Sequence, residues 1–192
     1  FLWIRPRELK RSRIGWATTN AAWAAAAIEG WFGPEREGLQ NYAEAFHAAW
    51  RDEPGAAIRL AAVAADTNTP AFARAGAIAE LAGHVSPETL DVARAGLSDA
   101  DPMVRIAALD MLDNVPPDRL WPVVSPLLSD PVRSVRIKAV SLLAGVSDTQ
   151  LSGSDRERLK GATQEFLAAQ ALNADRPEAR ATLGCFYARQ GQ

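Results

Sequence analysis

Cysteine occurs once in 192 residues, at Cys185. The chain can therefore close no internal disulfide, and it holds no Cys-x-x-Cys pair for metal or redox chemistry. Histidine occurs twice, at His47 and His84, too far apart in sequence to seat a metal at the spacing used on one helix. The longest apolar run, Ala21–Ile28, reads AAWAAAAI. A bilayer needs roughly 20 such residues, so no membrane insertion is expected. Phosphate-cradling glycine loops, a Walker lysine and a Gly-x-Ser-x-Gly elbow are all missing. Together these absences predict a chain with no catalytic residue, no cofactor and no metal. The basic start is followed by neither a sufficient apolar region nor a cleavage site, so no signal peptide is expected. The compartment stays open between cytoplasm and periplasm. Phe1 stands where Met is usual, which suggests a processed product or an excised piece.

Charge of neither sign dominates, and the net charge is −2, which argues against a general polyanion binder. Residues 1–19 differ. Arg5, Arg7, Lys10, Arg11 and Arg13 stand against Glu8 alone, a local excess of four positive charges, with Trp3 and Trp16 flanking them. This stretch reads as a solvated basic arm. A nucleic-acid partner is not expected, and a role of that kind would show as salt-sensitive binding lost on deleting residues 1–16.

What is present is repetition. The segments ARAGAIAEL (73–81), VRIAALDML (104–112) and VRIKAVSLL (135–143) superpose at a shift of 31. Arg74, Arg105 and Arg136 coincide, as do Ala77, Ala108 and Ala139, then Ile78, Leu109 and Val140, then Leu81, Leu112 and Leu143. The apolar columns recur at spacings of one and three, which is one stripe of a helix. Six residues before each Arg stands Asn68, Asp99 or Asp130, placed to cap the helix that follows. Pro70, Pro102 and Pro131 sit near the same starts. The segments 87–97 and 118–128 align at the same shift, so each unit is two helices joined by a short turn. Pro122 and Pro126 fall inside the second helix of the middle unit, which predicts a short or bent helix there.

No alternating run suggests a sheet. The residues predict an all-α fold, an α-solenoid of stacked antiparallel helix pairs. Its expected divisions are the arm at 1–19, N-terminal helices packed on the solenoid at 20–65, repeats at 66–153, and a further helical segment at 154–192. At the head of the 20–65 division, Thr19 or Asn20 would cap an alanine-rich helix that Gly33-Pro34 stops. Ser152-Gly153-Ser154-Asp155 reads as a linker and cap before the last segment.

Over about 66–145 the chain resembles HEAT repeats. The stretch DADPMVRIAALDML carries the resemblance through its Asp, Val-Arg, Ala and Leu positions. The resemblance implies that Asp99, Asp130, Arg105 and Arg136 form polar contacts between stacked units, with Asn68 marking an atypical first unit. Residues 156–191 resemble a tetratricopeptide repeat, with Ala162, Phe166 and Ala169 on one helix and Leu183, Gly184 and Tyr187 on the next. Ala174 stands where that family commonly has Pro, and the segment reads as truncated. A third resemblance joins AAWAAAAIEGWFGP, FHAAW and the repeats to the C-terminal module of large multihaem c-type cytochromes. It implies, as the alternative function, an accessory module of a periplasmic oxidoreductase. The stretch RSRIGWATTN holds no Cys for haem attachment, so no electron-transfer residue carries over.

Single residues offer little chemistry. His47 reads as a helix-surface residue and His84 as part of a turn. Cys185, inside a helix beside Phe186, reads as a small buried apolar residue. Asp110 and Asp113 read as a solvated helix face. The tryptophans, six in all, read as fillers between small-residue helices, with Trp23 and Trp31 eight apart on one of them. The resulting reading is a non-catalytic scaffold that binds a protein or peptide along the second helices of its units. On those helices Arg94, Arg119, Trp121 and Ser125 are the candidate partner-binding residues.

Overall fold

The computed structural model describes residues 21–33, 42–113 and 115–191. Its regular structure is helical throughout, with no strand among the described residues. Two compact units divide between residues 40 and 41. The first holds α1 (Ala21–Phe32). It stops at Gly33, whose φ of +85° suits a residue without a Cβ and whose N–H donates to the Glu29 carbonyl at 2.8 Å. The basic arm and the proposed Thr19 or Asn20 cap lie outside the described residues.

The second unit contains α2 (Ala43–Trp50), α3 (Ala56–Ala65), α4 (Ala71–Leu81), α5 (Pro87–Gly96), α6 (Pro102–Met111), α7 (Pro117–Val124), α8 (Arg133–Leu143), α9 (Gly153–Leu172) and α10 (Pro177–Arg189). Helices α4, α6 and α8 begin at 71, 102 and 133, so the 31-residue shift of the sequence is the repeat of the structure. They stack on one another, with α2 on α4, as a first layer. Helices α3, α5, α7 and α9 form a second layer. Between layers, α3 packs on α4, α5 on α6 and α7 on α8, whereas α4 and α5 meet only sparsely. The second helices α3, α5 and α7 thus seat on the first helix of the following unit and interlock the units, while α9 packs mainly on α8 of its own unit.

Every repeated apolar column is buried. Ala77, Ala108 and Ala139 are fully covered, as are Leu109, Val140, Leu81 and Leu143. One contiguous core runs from Ala45 in α2 to Phe186 in α10. Its largest aromatic contact is Phe166 against Phe186, ring centres 4.6 Å apart, which fastens α10 to α9. Small residues set the spacing elsewhere. A Cβ on Gly96 would stand 3.0 Å from Ile78 Cδ1 and 3.1 Å from Ala108 Cβ, so the bare α-carbon lets α5 approach α4 and α6 together. At the start of the array, Tyr42, Phe46 and Trp50 recur every four residues along α2, opposite Phe72, Gly76 and Glu80 of α4. The Tyr42 and Phe72 rings meet edge-on at 5.8 Å, a Cβ on Gly76 would be 3.2 Å from the Phe46 ring, and Trp50 Nε1 donates to Glu80 Oε1 at 3.3 Å.

The local signals have visible causes. Ser86 and Thr89 close a reciprocal capping box on α5. Asp101 caps α6, its Oδ1 accepting from Met103 N at 2.8 Å, and Ser152 caps α9 by accepting from Asp155 N at 3.1 Å. The caps expected at Asp99 and Asp130 fall elsewhere. These carboxylates accept from Asp101 N and Val132 N, each at 2.8 Å, closing the turn ahead of the helix. Asn68 donates instead, through its amide, to Asp66 Oδ1 at 3.1 Å. The prolines act as expected: α7, with Pro122 inside it, ends after eight residues, and the chain tightens into a 3-10 helix at Ser125–Ser129.

Candidate partner-binding face

Of the repeated Arg residues, Arg74 and Arg105 are buried in the first layer and Arg136 is half-buried. Arg74 Nη2 donates to Asp99 at 2.8 Å and its Nη1 to the Thr69 carbonyl at 2.6 Å. Arg105 Nη2 donates to Asp130 Oδ1 at 3.0 Å, its Nε lies 2.8 Å from Oδ2, and its Nη1 donates to the Asp99 carbonyl at 2.8 Å. Each guanidinium thus ties the turn before its own helix to the carboxylate of the next unit. Arg105 and Asp130 are only 8% and 7% exposed, so no solvent-borne ligand reaches them, and their role is structural.

Two ends of this ladder escaped the periodicity. Residue 43, where a preceding Arg would stand, is Ala43, so the ladder starts at Arg74. At the other end Arg136 meets Glu165 of α9, with Nε to Oε2 at 2.7 Å and Nη2 to Oε1 at 2.6 Å, and Arg133 lies 3.3 Å from the same carboxylate. These Arg136 hydrogen bonds hold the Glu165 carboxyl below its ordinary range, against the opposing effect of burial. The period would have placed an acid at 161, which is Gly161. Nothing in the repeat pattern points to Glu165.

Several side chains read from the sequence as inert are tied down, and others read as buried are open. Asp110 pairs with Lys138, and Asp113 accepts from Arg189 at 2.8 Å. These two carboxylates therefore reach across to α8 and α10 while staying open to solvent, as a solvated face would be. Cys185 is exposed, because α10 turns Ala179 and Phe186 inward and leaves the other side uncovered. Trp50 is 71% exposed, lying on the seam between α2 and α4 rather than filling an interior gap. His47 is exposed and His84 half-buried. Among the described residues no group of His, Cys, Asp and Glu could hold a metal ion, and no helix is long and apolar enough to cross a membrane.

The second layer carries the four candidate residues. Arg94 is exposed on α5 and held by Asp91 at 2.7 Å. Arg119 is exposed on α7. Trp121, two residues on, is half-buried against the core. Ser125 is buried at 7% exposure, since the 3-10 segment packs it inward beside Leu127 and Leu128, and it leaves the face. A residue missed in the sequence takes its place. The Arg158 guanidinium of α9 stands over the Trp121 ring, 5.9 Å from its centre, within cation–π range. Asp155 accepts from Arg158 Nη2 at 2.8 Å, and Ser152 donates to Asp155 at 2.8 Å. Trp121 and Arg158 come from different helices, and only their local caps and pairs were readable in one dimension.

The interlocked units and their Arg–Asp ladder now have a counterpart. Residues 60–144 match the family model for HEAT repeats. This stretch has a HEAT-repeat-like fold within an all-helical solenoid. The match starts inside α3 and ends just past α8, so it takes in the whole Arg–Asp ladder up to Arg136 and excludes Glu165 and α10. No curated protein and no solved structure matches the chain. HEAT repeats commonly act as protein-interaction scaffolds and are generally non-catalytic. Away from the HEAT units, a shallow hollow of about 400 Å³ lies between α9 and α10, lined by Gln170, Asn173, Arg176, Glu178, Ala179 and Thr182.

Proposed function

We propose that the chain is a non-catalytic helical-repeat scaffold that binds a protein or peptide partner on its second-layer face, around Arg94, Arg119 and Trp121. One contrast between the layers supports this reading. The first layer spends its guanidinium groups inside, on Asp99 and Asp130. The second layer keeps its cations outside, and Arg119 makes no hydrogen bond or ion pair with any described side chain. Extended repeat surfaces of this kind bind along their length.

A position-resolved crosslink tests the proposal. A photo-crosslinking residue is placed at 94 or 119 in the second layer, and at 72 or 103 in the first layer, where Phe72 and Met103 are exposed. The reading expects the same partner to be captured from 94 and 119 and not from 72 and 103. Capture from the first-layer positions alone would sink it.

A further inference from the structure

We infer that the N-terminal stretch binds the surface of a membrane that carries anionic lipid, with α1 seated in the headgroup layer and the basic arm on the lipid phosphates. This inference is independent of the scaffold reading above. Helix α1 reads AAWAAAAIEGWF and holds one charged side chain, Glu29. A helix apolar nearly all round is normally covered, yet none of its described side chains is buried. Trp23, Ile28, Trp31 and Phe32 are exposed, Trp31 by 64%. At about 3.6 residues per turn these four share one half of the helix with Ala27, and Glu29 falls on the other half with Ala22, Ala25 and Ala26. The large apolar side chains thus form one contiguous exposed side, with the only charge of the helix opposite.

The sequence beside α1 shows what that side fits. Arg5, Arg7, Lys10, Arg11 and Arg13 precede it with Glu8 alone against them. Four of the six tryptophans, Trp3, Trp16, Trp23 and Trp31, lie in the same stretch. Cations next to an apolar helix are the two signals of a peripheral anchor. The charge draws it to anionic headgroups, and the apolar side holds it at the acyl boundary. Indole suits that layer, because it joins an apolar ring to one polar N–H. The helix is about 18 Å long, short of the roughly 30 Å hydrocarbon core. It therefore lies along the surface and does not cross. A nucleic acid would use the cations and stack on the indoles, but it offers nothing to Ile28 and the alanines. A protein groove would take the apolar side and leave the arm unused.

Sedimentation of the full chain with vesicles tests the inference. Vesicles of phosphatidylcholine with about one third phosphatidylglycerol should carry the chain down, and vesicles of phosphatidylcholine alone should bind it at least about tenfold more weakly. That gap should narrow as salt screens the headgroups. Replacing Arg5, Arg7, Lys10, Arg11 and Arg13 by Gln should weaken binding to the anionic vesicles about tenfold or more. Ile28→Asp combined with Trp31→Asp should do the same, since it puts charge on the seated side. Glu29→Lys, on the opposite side, should keep or raise affinity. Lys160→Gln removes a cation from α9 and should leave affinity unchanged. The described side chains among these are at the surface, and circular dichroism would verify that helix content persists. Equal binding to the two vesicle types, or none to either, would overturn the inference. So would full affinity in the Ile28→Asp, Trp31→Asp variant, or loss of affinity in Glu29→Lys. Salt-sensitive capture of an oligonucleotide without vesicle binding would assign the arm to nucleic acid instead.

Discussion

At the scale of single residues, the strongest energetic statement concerns Arg105. Removing one member of a buried ion pair leaves the other charged and dry. Arg105→Ala strands Asp130, which is 7% exposed, and should cost about 3 kcal/mol in urea denaturation. Arg136→Ala should cost less, because its pair with Glu165 is partly open to water, the side chains being 24% and 28% exposed. In both variants the folded fraction should keep any partner binding. A stable protein that no longer binds would restore these residues to the functional face. Glu165 carries a pH consequence. Its folded pKa is depressed below the ordinary 4.5 by the Arg136 hydrogen bonds. The stability it contributes is therefore fully present above that ordinary value and is lost as pH falls through the lower, folded value. Glu165→Gln should flatten this acid limb when stability is measured from pH 6 down to pH 3, and an unchanged limb would show that other carboxylates govern it.

At the scale of elements, packing is decided by the smallest side chains. Gly96 stands where α5 meets α4 and α6, with Ile78 and Ala108 close enough to exclude a larger group. Gly96→Val should destabilise by about 1–3 kcal/mol, the usual penalty of overfilling a packed site, as read from the denaturation midpoint. Helix placement was largely legible in one dimension. Three segments related by a 31-residue shift placed α4, α6 and α8 through columns such as Ala77, Ala108 and Ala139, whose burial follows from helical periodicity alone. Pro122 and Pro126 announced the shortened α7. Legibility ended where a contact joins unlike elements. Glu165 sits off the period, Arg158 reaches Trp121 across a unit boundary, and Asp110 and Asp113 find partners 28 and 76 residues away. No spacing rule contains such pairs. Cys185 was misjudged for a related reason: a terminal helix has one covered side, and its sequence does not reveal which.

At the scale of the whole molecule, stability is distributed along a line. Each helix meets its neighbours in the stack and little else, so local opening should track position in the array. Helices α6 and α8 are flanked on both sides. Helix α10 rests on α9 through Phe186 and on the preceding units through Arg189, which donates to Asp113 and to the Ser141 carbonyl. Phe186→Ala should therefore raise amide exchange in residues 177–189 well before it does so in α6. Uniform acceleration across the chain would instead indicate a single all-or-none unit.

The ladder also has a direction. Every Arg reaches forward to an acid of the following element, and none reaches back. The start at Asn68 needs no donor, and the finish at Glu165 accepts one. Between those ends, the rule for growth is local. A second copy of residues 99–129 spliced in after Ser129 would give Arg105 a new Asp99 to hold, and would give the copied Arg105 the original Asp130. The protein could lengthen by one tandem duplication without leaving a buried charge alone. Its middle is thus a reading frame for insertion, while its two ends are punctuation that a duplication leaves intact.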